Sequence, residues 1–253
     1  MFKIALDAGH GMDTPGKRCL KSIDKNETRE WWLNDRICDK VEKKLASYDG
    51  YSLLRVDDTT GKIDVTLEDR VRRANEFGAN IYVSVHHNAG INGGKGSGII
   101  ALVYTNASQT SKEYRNIIYD ALIAETGLKG NRSTPLGEQN LYVCRKTTMP
   151  AVLVECGFMD STTDAPIILT DKFADESAEG LVKALVKIGK LTAKNVGGFT
   201  DIKGHFAESA IRDLASMGIV NGKTESTYAP DEPVTRGEAA VMLRRTIKYI
   251  TGK

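Results

Sequence analysis

Apolar and β-branched residues gather in short runs at 2–7, 51–56, 81–86, 98–104, 141–144 and 151–155, each about the length of a strand. Within the run at 81–86, Ile81, Val83 and Val85 share one face, and Tyr82, Ser84 and His86 share the other. Between the runs the period changes. Leu33, Ile37, Val41 and Leu45 recur every fourth position, which predicts a helix with one buried stripe. Thr66 followed by Asp69 announces a second helix, with Leu67, Val71, Ala74 and Phe77 inward and Gly78 as its stop. A third is expected near 111–126, ending at Gly127, and a fourth at about 173–192. Strands alternating with helices predict an α/β fold, with a mainly parallel, twisted sheet of about six strands flanked by helices.

The pattern breaks at Asn195-Val196-Gly197-Gly198, and two helices with no strand of any length follow. Ala207, Ala210, Ile211, Leu214 and Met217 predict a stripe closed by Gly218. Thr235 with Glu238 three residues on is a capping box that starts the second helix, after Pro233. These features divide the chain into an α/β domain at 1–193, a linker at 194–198 and a small all-α module at 199–253. A module of that size is marginal alone, so its stripes at Ile211–Leu214 and Leu243–Ile247 need something to pack on.

Composition narrows the function classes. The 253 residues carry a formal charge of only +2, and no dense basic run is interleaved with aromatics, so nucleic acid is not an expected partner. No apolar segment approaches the ~20 residues of a membrane span. The opening MFKIALDAGHG enters a strand at once, which leads us to expect synthesis in the cytoplasm without a signal peptide. Cys19, Cys38, Cys144 and Cys156 are too scattered for a ribbon-type zinc site and read as free thiols.

Four polar residues stand where strands run out or a helix begins: His10, Glu30, His86 and Glu155. In an open α/β sheet, ligands bind in the crevice outside the carboxyl ends of the strands, so residues far apart in sequence meet there. Two imidazoles and one carboxylate are a common hydrolytic zinc set, and a further carboxylate is what a general base requires. Each residue also has a structural reading. A strand-end His is often only hydrogen-bonded, Glu30 suits a helix N-terminus, and Glu155 suits pairing with an arginine such as Arg70. Arg70 and His87, which faces away from His86, are read as structural. The spacing of the four carries no local geometry; their common end of one sheet is what unites them.

The segments LDAGHG (6–11), REWWLNDRI (29–37), LEDRVRRAN (67–75), SVHHN (84–88) and MPAVLVECGFMD (149–160) occur in order. Together they resemble the zinc-dependent N-acetylmuramoyl-L-alanine amidases of the third amidase family. The resemblance covers roughly 1–192. It implies that His10, Glu30 and His86 hold zinc and that Glu155 activates water. Glu27 competes with Glu30, but Asn34 and Ile37 follow Glu30 at the family's distances. The implied reaction is hydrolysis of the amide between the lactyl group of N-acetylmuramic acid and L-alanine in peptidoglycan, by an endolysin or autolysin acting on the cell wall after phage-type release.

FTDIKGHFAESAIRDLASMGIVNG (199–222) with YAPDEPVTRGEAAVML (228–243) resembles one S-layer homology repeat. That likeness implies binding of a secondary cell-wall polysaccharide, with Arg236 at the family arginine and Phe206 where the family usually has Trp. A homo-oligomer held through 199–253 is the competing role. Two other classes remain open on the residues alone: a cysteine-dependent wall peptidase using Cys156, and a non-catalytic wall-binding protein.

Overall fold

The computed structural model describes residues 1–90, 94–193 and 198–251. The linker expected at 194–198 therefore falls almost wholly outside the described residues. The chain divides into two compact units, Met1–Thr192 and Ala193–Lys253.

The first unit is a three-layer α/β/α sandwich. Its strands are β1 (Phe2–Ala8), β3 (Tyr51–Arg55), β4 (Ile81–Asn88), β5 (Ile99–Val103), β6 (Leu136–Glu138) and β7 (Ala151–Phe158), with a two-residue β2 (Tyr48–Asp49) outside the main sheet. The order is β3-β1-β4-β7-β5-β6, and every pairing is parallel except β5 against β7. The mainly parallel sheet of about six strands is as expected.

Helices α1 (Glu30–Leu45), α3 (Gln109–Thr126) and α6 (Asp171–Gly189) cover one face, and α2 (Leu67–Phe77) and α4 (Tyr142–Lys146) the other; α5 (Ala165–Ile168) is a single turn after β7. The α1 stripe of Leu33, Ile37, Val41 and Leu45 is buried against Ile81, Val83 and Val85. Each such side chain contributes roughly 1.5–3 kcal/mol relative to exposure. On the far face Tyr82, Ala5 and Leu153 pack with Val71 and Ala74 of α2. Thr66 caps α2 by accepting from Asp69 N–H at 3.2 Å, and Gly78 ends it at φ 65°.

Three expectations need correction. The run at 141–144 is not a strand but the start of α4, in which the consecutive residues Val143 and Cys144 are both buried. Adjacent burial suits a helical turn, whereas a strand sends neighbours to opposite faces. The real edge strand is the three-residue β6, too short to show a period. The fourth helix ends at Gly189, before 192, because Lys190 turns into the left-handed region at φ 49°.

In the second unit, α7 (Glu208–Ser216) and α8 (Arg236–Thr251) accompany loops that supply much of the core: Phe199, Ile202, Ile219 and Val220 pack with Ile211 and Ala215. The stripe expected through Leu214 and Met217 is only partly inward, since these stay 36% and 42% exposed. The loop residues Ile219 and Val220 fill the place it was expected to fill. The capping box is formed: Glu238 N–H donates to Thr235 Oγ1 at 3.1 Å, and Thr235 N–H donates to Glu238 Oε2 at 2.8 Å.

Candidate metal centre

β1, β4 and β7 lie side by side and end together, so the crevice beyond them collects what each strand carries at its tip. His10 follows β1, His86 is the sixth residue of β4, and Glu155 is its register partner on β7. Glu30 opens α1 and reaches over the sheet edge from the opposite layer. Its Oε1 lies 3.3 Å from His10 Nε2 and 3.1 Å from His86 Nδ1. The two imidazoles meet edge to face, with centroids 4.9 Å apart. Glu27 is elsewhere, paired with Arg18 at 3.1 Å.

The charges at this place are not solvated. Burial opposes the charge on Glu30, yet the two imidazoles outweigh it and hold its carboxyl well below the usual range. Burial likewise works against a charged His86, and Glu30 more than offsets it, so its pKa is raised. At Glu155 burial outweighs the opposing pull of His86 and pushes the carboxyl up to about 7. Lys17 Nζ stands 3.6 Å from Glu30 Oε2 and is half exposed.

The backbone at His10 is in the left-handed region, at φ 70°. Three successive carbonyls hold it there. Arg70 donates to Ala8 O at 2.7 Å and to His10 O at 2.8 Å, and Asn34 Nδ2 donates to Gly9 O at 3.0 Å. Arg70 is itself fixed by a buried ion pair with Asp7, whose other oxygen accepts from Tyr82 and Ser84 at 2.8 and 2.6 Å. Arg70 is thus the structural partner of Asp7, and the alternative pairing with Glu155 does not form. Asp7 was missed from sequence, although a lone carboxylate inside an otherwise apolar strand is a signal that a buried cation faces it. Gly9 was missed as well: a Cβ there would overlap the His86 ring.

The donor set suits a metal ion. One ligand atom from each of His10, Glu30 and His86 lies within 4.8 Å of the other two. Tetrahedral zinc with ~2.0–2.1 Å bonds sets its ligand atoms about 3.3 Å apart, close to the 3.1 and 3.3 Å observed here. His10 Nε2, Glu30 Oε2 and Glu155 Oε2 are buried without a hydrogen-bond partner, which is the condition of groups awaiting an ion or water. A cleft of about 490 Å³ opens beside His10 and His86, walled by Val65, Leu67, Leu141 and Tyr142.

Cys156 lies fully buried in the apolar core on the other face of β7, and burial pushes its thiol pKa up. A thiol so placed is a poor nucleophile. Burial also pushes His87 down to about 3, keeping it neutral. Arg236 begins α8 in an exposed position, and Phe206 is 94% exposed beside the His205 ring. Both belong to the second unit.

Comparison with known proteins agrees with this geometry. The sequence model described as N-acetylmuramoyl-L-alanine amidase matches residues 4–187, and that of the S-layer homology domain matches 198–240. The sporulation-specific N-acetylmuramoyl-L-alanine amidase of Bacillus subtilis is 30% identical over 227 residues, 88% of this chain and 82% of that protein. The endolysin of Bacillus phage SPP1 is 32% identical over 194 residues, covering 77% and 68%. Among solved structures, an N-acetylmuramoyl-L-alanine amidase from Clostridium difficile 630 superposes with a TM-score of 0.66 at 28% identity, over 74% of this chain and 95% of that one. With the family sequence matched through β1, β4 and β7 and the same fold found in a solved relative, this chain belongs to the N-acetylmuramoyl-L-alanine amidase family and carries an S-layer homology domain behind it.

Proposed function

We propose that this amidase is a zinc enzyme in which His10, Glu30 and His86 hold the metal and Glu155 is the general base. The observation that carries the reading is the meeting of two imidazoles and a 1%-exposed carboxylate beside a second, unpartnered carboxylate. A zinc ion bound there supplies Lewis acidity toward an amide carbonyl and makes water more acidic. Glu155 removes a proton from the attacking water and delivers it to the amide nitrogen as the C–N bond breaks. Burial raises the Glu155 carboxyl to about 7 in the metal-free site, which favours its holding the proton between the two transfers. The clamp on Ala8, Gly9 and His10 keeps one imidazole in place, and the cleft walls of Val65, Leu67, Leu141 and Tyr142 receive the substrate and exclude water from one side. The substrate is peptidoglycan, cut between the lactyl group of N-acetylmuramic acid and L-alanine, on the cell wall.

On the same reading residues 1–193 are the catalytic domain and 199–253 attach it to the wall, with secondary cell-wall polysaccharide as the ligand. The exposed ring of Phe206 offers a face for a sugar, and Arg236 offers a fixed cation for an acidic polymer. Self-association through this module has its own support: Leu243, Ile247 and Ile250 of α8 are 65%, 61% and 75% exposed. Among the described residues no helix is long and apolar enough to cross a membrane. Mass spectrometry of digested peptidoglycan tests the bond: new free L-alanine amino termini on intact glycan are expected. Chelator should abolish the release and thiol alkylation should leave it alone; the reverse pattern would replace zinc with Cys156.

A further inference from the structure

Asn34 and His87 lie behind His10 and His86; Asn34 already contributes one bond to the clamp on Gly9, and His87 has no part in the mechanism above. Both are buried, at 0% and 2% exposure. Asn34 is one helical turn after Glu30, so the two project from the same side of α1. His87 points to the opposite face of β4 from His86, toward that helix. Asn34 Nδ2 donates to Gly9 O at 3.0 Å, and Asn34 Oδ1 lies 2.8 Å from His87 Nδ1.

The chemistry of these groups leaves one arrangement. A backbone carbonyl only accepts, so the amide must turn its NH2 to Gly9 and its oxygen to the imidazole. An oxygen facing Nδ1 requires a proton there, which makes His87 the Nδ1–H tautomer and leaves Nε2, buried and unpartnered, with its lone pair. The His87 backbone N–H in turn donates to Glu30 Oε1 at 3.3 Å, and Gly9 N–H donates to Val85 O at 3.0 Å. This single connected set therefore ties together α1, the end of β1 and the end of β4, and each of those three supplies one of the candidate ligands.

We propose that Asn34 and His87 are a positioning pair that sets the mutual placement of His10, Glu30 and His86 and so tunes metal affinity, without touching metal or substrate. The proposal rests on the zinc reading above. Apolar side chains would fill the same space, but they would not fix the direction of the Gly9 carbonyl relative to α1. Metal sites are sensitive to displacements of a few tenths of an ångström, and hydrogen-bonding partners behind the ligands typically govern affinity by 10–100-fold.

The test uses the full chain as Asn34→Ala, His87→Ala and the double variant. The zinc dissociation constant is measured by competition with a chromophoric chelator, and the melting temperature of the metal-free protein is measured alongside. Each single variant should bind zinc roughly 10–100-fold more weakly, and the double should be no weaker than the worse single, since one interaction is lost in all three. Variants that melt lower when metal-free but bind zinc within about twofold of wild type overturn the proposal, because packing alone then explains the pair. If the alanine variants do not fold, the nitrogen-15 spectrum of the metal-free wild type decides: Nδ1–H on His87 supports the pair, and Nε2–H overturns it. A wild-type chain that binds no zinc overturns the zinc reading and the pair together, whereas tight wild-type binding matched by folded variants overturns the pair alone.

Discussion

His86 and Glu155 are register partners on the adjacent parallel strands β4 and β7, and so place their side chains on one face of the sheet. Just beyond them the register slips, between His86 and Asn88, where the strands stop running in step. One member of the pair lies against Glu30 and the other does not, and that difference separates their proposed roles.

Because Glu155 is assigned as base and not as ligand, Glu155→Gln should keep its fold and its zinc while amide hydrolysis falls by on the order of 10²–10⁴. Turnover near wild type would contradict the role. Loss of zinc, read by elemental analysis of dialysed protein, would make Glu155 a ligand instead.

A Cβ on Gly9 would overlap the His86 ring, so any side chain there displaces the imidazole. Gly9→Ala should therefore lose zinc along with activity while the far ends of the sheet stay folded, much as His10→Ala should. Full zinc occupancy in either variant would remove the corresponding contact from the account.

The second unit should be acid-sensitive. Hydrogen bonds from Thr235 N–H and its hydroxyl, followed by Lys223, hold the Glu238 carboxyl down to about 2, below its ordinary value of 4.5. Asp201 and Glu208 are lowered by backbone N–H donors in the same way. A carboxyl with a depressed folded pKa contributes stability that is complete above the unfolded value and is lost as pH falls through the folded one. Helix α8 should thus loosen between about pH 4.5 and 2, and Glu238→Gln should weaken that dependence. A carboxyl titration of Glu238 by NMR near 4.5 would refute it.

Cutting the chain before residue 198 should leave an amidase active on small soluble muropeptides and weaker on whole walls. Sedimentation separates the two roles of the module. If full-length and truncated proteins are both monomers, assembly through the exposed face of α8 is wrong, and wall binding remains.

Much of this molecule was legible along the chain. The four-residue period of the α1 stripe, the alternation in β4 and the caps at Thr66 and Thr235 are local, because side-chain direction and backbone hydrogen bonding repeat over a few residues. The family likeness carried His10, Glu30, His86 and Glu155 as a set, since each lies within a recognisable segment. What the segments could not show is anything that depends on two of them at once. That β5 runs against β7, that a three-residue edge strand exists at β6, and that 141–144 coils into a helix follow from which surface each piece meets. The choice of Arg70 between Asp7 and Glu155 and the link from Asn34 to His87 were likewise decided in three dimensions. A hydrogen bond is directional and short-ranged, so its partner is set by where the chain returns, not by what lies next to it in sequence.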